Sequence, residues 1–108
     1  MHEAGLIAAA IGEALDARPA GAAERPRAIA LTIVDPVHVS EDSARLHLEV
    51  ALRARRMHGV PVRVEARTVA CEECRTVNAP MPSHPFCDAC GWPLPHADGP
   101  AVVIAATW

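Results

Sequence analysis

The sequence predicts an α+β fold: a three-stranded sheet covered on one face by two helices, with a zinc-ribbon-like four-cysteine insert ahead of the last strand. Three observations predict it. Two stretches repeat apolar residues at helical spacing, and three shorter ones alternate or run apolar as strands do. Between the last two strands lies a segment rich in Cys, Pro, His and Asp, with no apolar period, carrying Cys71-Glu-Glu-Cys74 and Cys87-Asp-Ala-Cys90. The chain divides on this reading into residues 1–70 together with 101–108, an α/β domain, and residues 71–100, a zinc-binding domain.

Each element has its own local reason. Residues 4–17 place Leu6, Ile7, Ala10, Ile11, Ala14 and Leu15 on one face of a helix, weakened modestly by Gly12 and ended by the loop containing Pro19, Gly21 and Pro26. Residues 28–34, AIALTIV, carry Ile29, Leu31 and Ile33 at period two, a strand closed by Asp35-Pro36. Ser40 is an N-cap, with Glu41 and Asp42 in a first turn where the helix dipole favours anions. The helix it opens runs to about Met57, with Ala44, Leu48, Ala51 and Leu52 inward, Arg45, Arg53 and Arg56 outward, and Gly59 as the residue that ends it. Residues 60–70 alternate again, Val62, Val64, Ala66 and Thr68 against Arg63, Glu65 and Arg67, and lead straight into Cys71. Ala101–Ala106 forms the last strand. The strands flanking the insert are expected to pair antiparallel as neighbours.

Composition narrows the function. The chain is 51% apolar but only 3% aromatic, so its core is thin and metal or partner contacts matter for stability. Its net charge is −3, and all ten basic residues are arginine, which gives no electrostatic footprint for nucleic acid. The apolar stretch after His2 is interrupted by Glu13 and Asp16 and lacks a basic leader, so neither a signal peptide nor a membrane span is expected and the predicted location is cytoplasmic. Thiols stay reduced there, which favours metal over disulfides for the four cysteines.

Two turns that each present a pair of thiolates supply the four tetrahedral ligands of a structural zinc site, and four thiolates leave no open position for substrate. Iron satisfies the same ligand set, and two independent redox dithiols are the remaining alternative. His84 and His96, just outside the pairs, read as exposed or supporting residues, and Phe86 and Trp92 as packing for the small cysteine core. No Ser/His/Asp set, phosphate loop or open metal site is visible, so an enzyme is not expected. At the amino terminus, Met1-His2-Glu3 offers a free amine, the His2 amide and imidazole, and the Glu3 amide, a planar nitrogen set associated with Ni(II) or Cu(II). His38, His47 and His58 read as surface or boundary residues, one of which could add a nickel contact.

Met1-His2-Glu3 running into an alanine- and leucine-rich helix, the strand near residue 30, the helix over 41–57, and the set Cys71, Cys74, Cys87 and Cys90 between strands together resemble the HypA/HybF hydrogenase-maturation nickel chaperones. The resemblance spans nearly the whole chain. It implies a non-enzymatic metallochaperone in which the Met1 amine, His2 and the Glu3 backbone bind transferable Ni(II) and the four cysteines hold structural Zn(II). Its partners would be the GTPase nickel chaperone HypB and the large subunit of [NiFe]-hydrogenase. The chain departs from the family at Val34-Asp35-Pro36-Val37-His38-Val39, where a glycine-containing turn is usual. It departs also in its arginine-rich second helix and at Arg75, where a glycine often follows the first cysteine pair; Gly91 keeps that feature after the second. The competing expectation is a small zinc-ribbon adaptor that binds a protein or nucleic-acid partner and ignores nickel.

Overall fold

In a computed structural model, residues 3–108 are described. Helix α1 spans Glu3–Asp16, strand β1 Ala28–Ile33, helix α2 Glu41–Ala54 and strand β2 Val62–Ala66; β3 (Val69–Ala70) and β4 (Val77–Asn78) are short, and β5 spans Val102–Thr107. One sheet has the order β2-β1-β5, and β3 pairs with β4 in a second, two-stranded sheet. The predicted α+β architecture, with two helices, three strands and a four-cysteine insert, is the one observed.

The register explains the core. β1 pairs in parallel with β2, Leu31 opposite Val64, and antiparallel with β5, Leu31 opposite Ile104. Directly opposed residues share a face, so Ile29, Leu31 and Ile33 lie between Val62, Val64 and Ala66 on one side and Ala106, Ile104 and Val102 on the other. Onto this face pack Ile7 and Ile11 of α1 and Ala44, Leu48 and Leu52 of α2. The opposite face carries Arg63 and Glu65, paired at 3.2 Å, and the exposed Val103.

The flanking strands are not neighbours, contrary to expectation: β1 separates β2 from β5. The parallel β1–β2 pair needs a crossover, and α2 is that crossover. The central slot, covered along both edges, goes to β1, whose three inward side chains are each 1% exposed or less. The strand expected over 60–70 is also interrupted: the Arg67 amide makes a bond to Ile33 O, and Val69–Ala70 then pairs with β4.

Helix α2 begins as read. Ser40 is its N-cap, its side chain accepting from the Ser43 amide at 3.2 Å. Its end differs: Arg56, at φ 58, takes the left-handed position after the C-cap, while Gly59, at φ 89, turns the later loop. At Gly12 a Cβ would meet the tip of the Arg55 guanidinium at 2.9 Å, a flexible end that can move aside, so the glycine weakens α1 without a packing demand for it.

Because β1 and β2 are parallel and β5 antiparallel, the insert leaves and returns at the sheet end where β1 gives way to the 34–39 turn. That turn is tied to the returning chain by Val34 and Asp35 amides donating to Ala101 O, at 2.8 and 3.2 Å. Val37 from the turn is buried with Cys71, Cys87 and Leu94, forming a second small core where sheet and insert meet.

Candidate metal centre

The insert folds as two copies of one turn. In the first, the Arg75 amide donates to Cys71 O and the Cys71 amide to Thr76 O, both at 2.9 Å. In the second, the Gly91 amide donates to Cys87 O at 2.9 Å and the Cys87 amide to Trp92 O at 2.8 Å. Each turn is closed by a residue at positive φ, Arg75 at 64° and Gly91 at 76°. This curl lifts the backbone amides after each cysteine toward the sulfurs, the local reason that Cys-x-x-Cys can aim two thiolates at one point.

The turns face each other. Cys71 Sγ lies 3.6 Å from Cys90 Sγ and Cys74 Sγ 3.5 Å from Cys87 Sγ, with all four sulfurs within 4.8 Å of one another. A disulfide would need ~2.05 Å. Tetrahedral metal–sulfur bonds of ~2.3 Å put sulfurs ~3.8 Å apart, close to the observed edges. All four cysteines are free thiols, Cys71 and Cys87 buried, Cys74 and Cys90 exposed. The donor set therefore fits a thiophilic cation with four-fold sulfur coordination.

Hydrogen bonds prepare the charge such an ion requires. The Cys90 amide, helped by the Ala89 amide and the Asn78 side chain, holds the Cys87 thiol down to about 6 against burial. The Thr76 hydroxyl and amide lower Cys74. For Cys90, the Trp92 amide favours the thiolate, but burial and the neighbouring Cys71, Cys74 and Cys87 sulfurs outweigh it and push the thiol up to about 12. Four sulfurs at this spacing cannot all ionise alone; a divalent cation removes the conflict.

Asn78 joins the two turns. Only 4% exposed, it donates to Thr76 O at 3.0 Å and to Cys87 Sγ at 3.5 Å, and its Oδ1 accepts from the Asp88 amide at 2.9 Å. It was not singled out in the sequence, where an Asn between a Val and an Ala carries no spacing signal. Phe86 and Trp92, expected inside, are 46% and 51% exposed. The buried cluster there is made of the Cys71 and Cys87 sulfurs, Leu94 and Val37.

The proposed nickel ligands Met1 and His2 lie outside the described residues. Glu3 opens α1, and its Oε1 is buried with no hydrogen-bond partner among the described residues. His84 is exposed and pairs with Asp88 at 2.8 Å, while His58 presents its carbonyl to Arg25 at 2.6 Å. A second cluster that could hold a metal ion comprises Asp35, His38 and His96, from the 34–39 turn and the chain returning from the insert. The sequence reading does not find it: Asp35 reads as closing a strand and His38 and His96 as surface or supporting residues, because the cluster is completed by a residue 58 positions after His38.

Fold and site thus define a class: a two-helix α+β layer bearing a zinc-ribbon-like four-cysteine insert, with two candidate metal clusters. No helix among the described residues is long and apolar enough to cross a membrane. No family model and no curated protein sequence matches the chain. In fold it is similar to the solution structure of the Ni metallochaperone HypA from Helicobacter pylori, with a TM-score of 0.55 and 12% sequence identity over 99% of this chain and 98% of that one.

Proposed function

We propose that this chain is a nickel metallochaperone, which binds Ni(II) through the Met1 amine, the His2 amide and imidazole and the Glu3 amide, and carries structural Zn(II) on Cys71, Cys74, Cys87 and Cys90. The observation that carries the reading is end-to-end similarity in fold to a Ni metallochaperone, four-cysteine insert included. It is joined by the Met1-His2-Glu3 sequence, suited to planar nitrogen ligation. Zinc is favoured at the cysteines because four thiolates close its shell without an open position, which makes the site structural. Residues 1–70 with 101–108 then act as the nickel-binding unit and residues 71–100 as the zinc-binding one, in a cytoplasmic, non-enzymatic protein. Its partners on this reading are HypB and the large subunit of [NiFe]-hydrogenase.

The test is a Ni(II) titration of zinc-loaded, untagged protein beginning at Met1, followed by calorimetry and absorbance beside His2→Ala. One equivalent giving a planar-nickel spectrum, lost in the variant, is expected. The second reading, a zinc-ribbon adaptor, draws on the exposed Met81, Phe86 and Trp92 of the insert as a partner surface. Zinc-loaded protein indifferent to nickel would replace the first reading with this one.

A further inference from the structure

We propose that Asp35, His38 and His96 form a second transition-metal site, distinct from the cysteine cluster and from the amino terminus, which clips the insert to the sheet. Each residue offers one ligand atom, and those atoms lie within 4.8 Å of one another. The two imidazoles face each other with centroids 4.4 Å apart and planes inclined at 31°. His38 Nδ1 lies 2.8 Å from Asp35 Oδ2.

That bond accounts for one carboxylate oxygen only. Asp35 is 9% exposed, and its Oδ1 is buried without a hydrogen-bond partner among the described residues. A buried carboxylate oxygen left without a partner is costly, and a cation beside it satisfies the atom. A simple Asp–His turn contact explains neither this oxygen nor the approach of His96 from a distant part of the chain.

Both arms of the cluster are anchored. The Asp35 carbonyl accepts from the His38 and Val39 amides at 3.2 and 3.1 Å, and the Asp35 amide donates to Ala101 O. Val37, beside His38, and Leu94, two residues before His96, are buried together against Cys71 and Cys87. The ligands are therefore held by packing already in place, while the 58% exposed His38 side chain leaves a path from solvent. Two imidazoles and one carboxylate suit Zn(II), Ni(II) or Co(II) better than Mg(II) or Ca(II). Three protein ligands leave a coordination position open, so the ion exchanges more readily than one held by four thiolates.

Co(II) titration of His2→Ala protein preloaded with one equivalent of zinc tests the site without the terminal one. One further equivalent is expected, with visible absorbance of nitrogen and oxygen ligation and no thiolate charge-transfer band. It should weaken by at least about tenfold in both His96→Ala and His38→Ala, with zinc content and circular dichroism unchanged. No uptake beyond zinc, or uptake indifferent to both substitutions and lost instead in His84→Ala, would overturn the proposal. Loss of nickel binding at the terminus alone, seen by comparing wild type with His2→Ala, bears only on the chaperone reading.

Discussion

The sheet-and-helix layer and the cysteine insert are held together by different physics. Six of the seven largest fully buried side chains, Ile7, Ile11, Ile29, Leu31, Ile33 and Leu48, belong to the layer; the seventh is Cys71. The layer is closed by hydrocarbon interdigitating across three strands and two helices. The insert buries Leu94, Pro80 and the Cys71 and Cys87 sulfurs, against Val37 of the 34–39 turn, with Asn78 buried beside them. At its centre, polar contacts converge on four thiols, a donor set that a bound cation would neutralise.

Metal removal is the strongest way to break the comparison. Binding of structural zinc by comparable small folds contributes on the order of 10 kcal/mol near neutral pH, so a chelator should melt the insert while the layer survives. In amide NMR spectra, resonances from 69–94 are expected to collapse and those of β1 and β5 to persist; simultaneous loss of both would mean that the regions form one cooperative unit. Acid should act likewise. With Cys90 held near 12, the ion must displace a proton throughout the neutral range, so affinity rises with pH. Cys87, at about 6, is a thiolate above that pH and is protonated below it. The dependence should steepen below about pH 6, and competition with a chromophoric chelator from pH 5 to 8 would reveal an unchanged slope if Cys87 were not the low one.

A smaller effect, from the other side, is expected of Leu48→Ala. Leu48 is wholly buried between α2 and the sheet. Truncation of such a leucine costs about 2–5 kcal/mol, which should lower the thermal midpoint of the layer and leave bound zinc at one equivalent per chain. Loss of zinc in parallel with stability would show that the insert borrows its order from the layer.

The two regions were also unequally legible. In the layer, β1 and α2 could be read closely because Ile29, Leu31 and Ile33, and Ala44, Leu48 and Leu52, repeat at the period of their own element, and because Ser40 caps through a residue three places on. The strand order could not, since putting β1 between β2 and β5 depends on how α2 carries the chain across. In the insert the four cysteines were plain from spacing, but Asn78 was not, because its partners Thr76, Cys87 and Asp88 meet only after both turns have formed. Asp35, His38 and His96 converge for the same reason: the first two share a turn, and the third arrives with the chain that Leu94 anchors. Phe86 and Trp92 misled because large aromatic residues in a small domain were expected inside, whereas the buried cluster is built from two sulfurs, Leu94 and Val37 and both rings stay about half exposed.

The finest comparison lies within the insert, between its two turns. They share hydrogen bonds and backbone shape, yet one is closed by Arg75 at φ 64 and the other by Gly91 at φ 76. A left-handed conformation costs a residue with a Cβ ~1–2 kcal/mol, whereas glycine adopts it freely but has ~0.5–1 kcal/mol more chain entropy to lose on folding. Arg75→Gly should thus stabilise the metal-loaded insert by about 0.5–1 kcal/mol, and Gly91→Ala should destabilise it by a similar amount. The alanine Cβ itself meets no atom within 4 Å, so conformation alone is being measured. Denaturant midpoints of the zinc-bound proteins would check both signs. Opposite shifts would establish that the first turn keeps its shape under strain imposed by the cysteine ligands; a loss of stability in Arg75→Gly would show instead that the arginine side chain makes a contribution that outweighs its backbone cost.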